Sequence, residues 1–435
     1  MSKRPRKRIC LSRRRFLRSA AALTASGVLL PRCSDGPGGA GPDRAVGPDA
    51  TSEIRADAWP ARDPDSVLLG LYPTDQVPSA EEAVRLACAD LDWSWLNPGD
   101  SVFVKLSSNS GNAHPAVTSP AAARAVCEEL LARGAGSVKA GDMGGVESVR
   151  VTEAKTWGST RGLMEKNGLL DAITQAGAEP WLFDEQGHEE GFVEATFPFD
   201  DTHWHEPPRI ARIATEVDHI VMLPRLSSHA IAGCSLGLKC AVGWIRDDSR
   251  FLMHVNGASI HELYTELSYS NEIRDRLRLT LTLAEDLLLD CGPDVGTIAT
   301  ADPRIVIASP NLANHDAVAV AALAFIDGLT PPDPTVIIRY GESADAINQM
   351  LITTLVPNWY GEPWGELDME EHYTPVEYVE YQAGVASNPA LVRAYEILGS
   401  VPATIPVRLV GEAPDHAFLA FLTAHDGGRL GPEGA

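Results

Sequence analysis

Four consecutive apolar residues, Ile220, Val221, Met222 and Leu223, are stopped by Pro224 and give way at once to Arg225, Ser227, Ser228 and His229. A run apolar at every position, not at every second one, predicts a strand covered on both faces, as in the interior of a parallel sheet. Proline ends it, because it cannot donate to a ladder. Sheets of that kind bind ligands at the carboxyl ends of their strands. Across the stretch 217–261 the polar groups continue with Lys239, Arg246, Arg250, His254 and His261, and glycines at 233, 237 and 243 let backbone approach a ligand closely. This stretch is the candidate site.

The rest of the chain repeats the pattern. The runs 66–72 (SVLLGLY), 101–106 (SVFVKL) and 137–141 (SVKAG) read as strands, with a further one at 179–183. Helical segments lie between them, the first opened by Ser79 ahead of Glu81 and Glu82, the second by Thr118 or Ser119 with Pro120. Further on, 258–289 reads as helical, 304–309 as a strand, 317–326 as a helix with Asp316 capping it, and 404–411 as a last strand. Strands alternating with helices predict an α/β fold: a mainly parallel sheet, or sheets, with helices on both faces, as one body or as two lobes around a cleft. Polar clusters at 105–109, 142–145 and 225–229 then share one sheet edge. The irregular stretch 187–208 holds His203 and His205, spaced to share a strand face, but nothing nearby completes a metal site.

The first 33 residues stand apart. They carry ten Lys and Arg and no acid, and Ser12-Arg13-Arg14-Arg15-Phe16-Leu17 precedes an apolar segment, 20–30, that is too short for the roughly 20 residues of a membrane span. This is the pattern of a twin-arginine export signal, read by the twin-arginine translocase, and it places the mature chain in the periplasm or on the outer cell surface. Two endings fit: a lipid anchor on Cys33, against which Arg32 is an awkward neighbour, or cleavage after Ala40. Residues 34–64 read as a linker, 65–330 as the main domain, and 331–435 as an extension that completes or covers it, with a lid or helical segment around 330–400. Beyond residue 33 the chain keeps 26 Lys and Arg against 59 Asp and Glu, a net charge of −33, which excludes nucleic acid and anionic membrane faces as general electrostatic partners. The remaining cysteines, 88, 127, 234, 240 and 291, contain no C-x-x-C pair, so a cysteine-built iron–sulfur or zinc site is not expected. Cys234 and Cys240 are close enough in sequence to pair.

Taken in order, Lys105 with Asn109, Gly141-Asp142, Ser159-Thr160-Arg161, Pro224 with His229, Gly237-Leu238-Lys239, Arg250 with His254, Gly292-Pro293 and Asp316 form a series. The series resembles the domain of unknown function 362 family from about residue 66 to 328. The resemblance implies the fold above and a site built from these positions; it implies no reaction, because the family has no settled one. Ser227 stands where the family usually has Lys, and Cys240 where Asn commonly follows Lys239. Many relatives also carry a ferredoxin segment for which this chain has no cysteine cluster. A fainter similarity is to the nickel-pincer lactate racemases, since His229, Lys239 and His254 nearly match the spacing of the residues that hold or surround that cofactor. Cofactor identity stays open.

The residues divide by chemistry. Lys239, His229 and His254 are candidate catalytic groups. Beyond residue 33 there are only five lysines, and a desolvated lysine can act as base or Schiff-base former, which arginine cannot. Lys105, Asn109, Asp142, Arg161, Arg225, Arg250 and Asp316 are candidate ligand-binding groups, the arginines because their fork of donors fits a carboxylate or phosphate. The expected partner is a small anionic molecule or cofactor. Two functions follow: an exported enzyme, an oxidoreductase or isomerase, or a non-catalytic cell-envelope binding protein.

Overall fold

The computed structural model describes residues 65–290, 292–331, 348–360, 372–377 and 384–432. The export signal, the linker, both readings of the processing site, Cys291 and much of the expected lid segment lie outside them.

Eleven strands form one sheet: β1 (Val67–Tyr72), β2 (Ser101–Leu106), β3 (Ser137–Gly141), β4 (Glu179–Pro180), β5 (His219–Leu223), β6 (Ser227–His229), β7 (Gly233–Ser235), β8 (Leu277–Leu289), β9 (Thr297–Ser309), β10 (Ile405–Gly411) and β11 (Leu430–Pro432). The main order is β11-β10-β1-β9-β8-β5-β2-β3-β4, with β6 pairing β7 and β8. Every neighbouring pair on this path is parallel except the two made by β9, so the sheet is mainly parallel, as expected. Helices cover both faces: α1 (Ala80–Ala89), α2 (Pro120–Ala132), α3 (Thr160–Asn167) and α4 (Leu169–Gln175) one side, α5 (Gly237–Cys240), α6 (Asp247–Val255), α7 (Ile260–Ser268), α8 (Leu312–Leu329) and α9 (Pro389–Ile397) the other.

The two-residue period of a strand sorts β2 between these layers. Val102, Val104 and Leu106 pack with α1 and α2, whereas Phe103 packs in the other layer, on whose side Lys105 also lies. That helix α8 is long and apolar enough to cross a membrane reflects its place in the core, where 72% of it is buried.

Three expectations need correction. The segment 258–289 is not one helix: α7 and the short helix Asn271–Arg274 are followed by the 13-residue strand β8. Its Leu-Thr-Leu-Thr-Leu alternation has the period of a strand, and threonine, branched at Cβ, favours one. The strand at 179–183 shrinks to β4, with a single 3-10 turn at Phe183–Glu185. Helix α8 begins five residues before the expected 317, with Asn311 as its cap accepting from the Asn314 amide, so Asp316 sits in its second turn.

Candidate functional site

A cavity of about 450 Å³ opens at the carboxyl edge of the sheet. Its walls come from the residues after β2 (107–112), after β3 (142–148), after β5 (Arg225, His229), and from Pro293 and Asp294 in the turn after β8. Short helix α5 (Gly237–Cys240) and α6 (Asp247–Val255) supply Lys239, Arg250 and His254. Met350, Leu355 and Trp359 close it from the C-terminal part of the chain.

Seven of the ten residues expected from sequence line this cavity: Asn109, Asp142, Arg225, His229, Lys239, Arg250 and His254. The other three do not. Lys105 is sealed beneath it, fully buried, with Nζ 2.7 Å from Asp142 Oδ1, 2.7 Å from the Leu106 carbonyl and 3.1 Å from that of Cys240. It ties the ends of β2 and β3 to α5 and leaves no donor for a ligand. Arg161 lies outside, its fork spent on Glu185 in two hydrogen bonds of 2.8 Å. The useful member of that motif is its neighbour: buried Thr160 accepts from the Gly144 amide and braces the loop after β3. Asp316 lies behind α5. Its carboxylate accepts the amides of Gly237 (2.9 Å) and Leu238 (2.8 Å) and stands 2.8 Å from His315 Nδ1, so it pins the start of the helix that carries Lys239.

Lys239 is the electrostatic centre of the cavity. Among the described residues its ammonium has no ion-pair partner; it stands 5.7 Å from the centroid of the Tyr264 ring. Burial, with Arg225 and Arg250 nearby, lowers its pKa to about 7. Burial also draws the Arg225 guanidinium down to about 10, which leaves it charged at neutral pH. Arg225 donates from Nη1 to the Pro293 carbonyl (2.8 Å) and from Nε to Ser235 Oγ (3.4 Å); Nη2 has no partner among the described residues. Arg250 is committed differently: its donors reach the carbonyls of Ile245, Gly144, Met143 and Gly243, clamping the loops that form the wall. It contributes charge to the cavity more than free donors. The acidic side chains of the inner wall are engaged, Asp142 by Lys105 and the Ser108 amide, Asp294 by Asn109 Nδ2.

The histidines have fixed tautomers. His229 Nδ1 accepts the amides of Ile231 (3.1 Å) and Ala232 (3.2 Å), which puts the ring proton on Nε2. Burial, then the cations Lys239 and Arg225, holds the ring well below the usual imidazole pKa, so it is neutral and a donor. His254 is the reverse: Nδ1 donates to the Arg250 carbonyl (2.8 Å), with Tyr360 Oη at 2.9 Å, leaving the Nε2 lone pair as an acceptor. Burial, then Lys239, lowers it to about 3. The cavity therefore holds one neutral donor, one neutral acceptor and a half-neutral amine.

Sequence reasoning missed Ser235, Asp294 and Trp359. Asp294 had a signal, its place directly after the Gly292-Pro293 turn; Trp359 comes from a segment with no periodic pattern. Cys234 and Cys240 are not joined by a disulfide; Cys240 lies buried against Lys105 and accepts from Ser107 Oγ at 3.3 Å. His203 is taken by Glu266, 2.7 Å from its Nδ1. Among the described residues no three His, Cys, Asp or Glu side chains stand together in a way that could hold a metal ion.

Fold and site together define an α/β protein with a buried, cation-lined cavity at the carboxyl edge of a mainly parallel sheet. The chain belongs to the family described as domain of unknown function (DUF362), whose model matches residues 102–321. No curated protein matches it. Two solved structures are similar over part of their length. The lactate racemase apoprotein from Thermoanaerobacterium thermosaccharolyticum shares 14% identity, with 51% of this chain and 50% of that chain covered, at a TM-score of 0.33. A protein from Thermotoga maritima shares 12% identity, with 57% of each chain covered, at a TM-score of 0.34. The chain thus spans about half the length of each. A nickel-pincer cofactor held through His229 does not fit: a neutral ring whose Nδ1 already accepts two amides carries its proton on Nε2 and has no lone pair left for a metal.

Proposed function

We propose that this DUF362 protein is exported by the twin-arginine route and uses the cavity beside Lys239 to bind a small carboxylate or similar anion, with His254, His229 and Lys239 moving protons on it. The observation that carries the reading is the half-buried ammonium of Lys239, without an ion-pair partner among the described residues, in a chain with a formal net charge of −23. A charge drawn partly out of water without a partner carries a desolvation cost that a bound anion offsets. Arg225 Nη2 adds a directed donor for such an anion. A neutral acceptor and a neutral donor in the same cavity suit proton transfer next to a carboxylate, the chemistry of an isomerase and of many oxidoreductases.

The test is mass spectrometry and metal analysis of the full chain purified from its own host, beside Lys239→Ala. The reading expects a small anion to co-purify with the wild type and to be lost from the variant. Equal content in both, or a wild type that is empty and binds no added carboxylate, overturns it. The export proposal is tested separately. Replacing Arg13 and Arg14 together by Lys is expected to trap the chain in the cytoplasm, and unchanged export contradicts it.

A further inference from the structure

The geometry points to a covalent step at Lys239: we propose that its amine captures the carbonyl carbon of a small oxo-acid as an imine while the acid's carboxylate lies on Arg225. This rests on the anion-binding reading above and adds a bond to it. The amine is held in place, because Asp316 pins the first two amides of the four-residue helix α5. Among the described residues no carboxylate forms an ion pair with it. Asp316 is occupied by those amides and His315, and Asp142 by Lys105 and Ser108. The cavity, about 450 Å³, suits a small acid with some of its wall. Only lysine serves here, since an amine desolvated among cations is nucleophilic near neutral pH and a guanidinium is not. The pKa of about 7 agrees with this.

The step balances without an external redox partner. The neutral amine adds to the carbonyl carbon, forming the C–N bond as the C=O π pair moves to oxygen. The surplus nitrogen proton passes to His254 Nε2 and from there to that oxygen, and the proton that the ammonium released in becoming the neutral amine follows it by the same route. Water then leaves as the nitrogen lone pair forms the C=N bond, and the imine retains one proton. Counted from the ammonium form, R–NH3+ and the carbonyl compound give the protonated imine and water.

The experiment is trapping of the full-length protein with glyoxylate and cyanoborohydride, read by peptide mass mapping. The expected result is one reduced adduct, at Lys239, at a dose that leaves the exposed Lys155 and Lys166 unmodified. Lys239→Arg is expected to lose the adduct entirely. Arg225→Gln is expected to raise the glyoxylate concentration for half-labelling about tenfold, the loss of one charge-assisted hydrogen bond. Should either variant fail to fold, saturating propionate, a carboxylate without a carbonyl, is expected to block labelling of the wild type. Labelling of Lys239 no faster than of Lys155, or unaffected by propionate, overturns the proposal. If propionate binds calorimetrically and Lys239 still does not label, the imine fails and the anion site stands. If propionate does not bind, the underlying reading fails.

Discussion

Lys105 and Asp142 meet at 2.7 Å, both buried, one at the end of β2 and the other just past the end of β3. The pair forms the floor of the cavity and joins two neighbouring parallel strands to the wall that carries Lys239. Lys105→Met would leave the Asp142 carboxylate buried and uncompensated, which costs about 3–5 kcal/mol when one partner of such a pair is removed. Urea unfolding of wild type and variant measures it; a loss below about 1 kcal/mol would mean that the pair is dispensable.

Gly243 stands against that pair. A Cβ there would come within 2.1 Å of Asp142 Oδ1 and 2.4 Å of Lys105 Nζ. Neither end can swing aside without leaving its partner, so Gly243→Ala is expected to cost at least the 1–3 kcal/mol typical of overpacking, roughly, and to weaken anion binding as well. A thermal melt and a binding titration on the same sample decide it. An unchanged melting temperature would refute the packing described.

Asp316 acts on the site through α5. Asp316→Ala orphans two buried amides, at a cost of about 1–3 kcal/mol each at most, and frees the helix that aims Lys239. Affinity for a small carboxylate is expected to fall even though the residue does not line the main cavity. Full affinity in a destabilised variant would show that the placement of Lys239 does not depend on it.

Lys239 sets a pH dependence whose sign follows from its depressed pKa. The unfolded chain holds the proton up to about 10.5 and the folded chain only up to about 7, so the unfolded state binds more protons between those values. Stability therefore rises with pH across that window, and the contribution is lost as pH falls through about 7. Lys239→Met removes the cost of the buried charge. The variant is expected to exceed the wild type in stability at about pH 6, the gap closing towards about pH 10. A gap that does not vary with pH contradicts the desolvation of the Lys239 ammonium.

Much of this was legible in the sequence because the strands that build the site are short, apolar at every position and closed by polar residues, as at 101–106 and 220–223. Their carboxyl ends had to share an edge once the sheet was parallel. What was not legible depended on partners distant in sequence. Nothing local shows that Lys105 faces Asp142 and not a ligand, or that Arg161 meets Glu185 twenty-four residues on. Asp316 looked like a cap because the helix start was placed too late; the cap is Asn311. Strand β8 was hidden by Ala284, Glu285 and Asp286, which interrupt its alternation where the pairing with β9 shifts register.

The most direct test is calorimetric titration of the wild type and Lys239→Met with pyruvate, at about pH 6 and about pH 9. The account predicts a single site per chain in the wild type, tighter at the lower pH where Lys239 is charged, and a loss of at least about tenfold in affinity in the variant. Binding that is indifferent to pH and to the loss of Lys239 would contradict it.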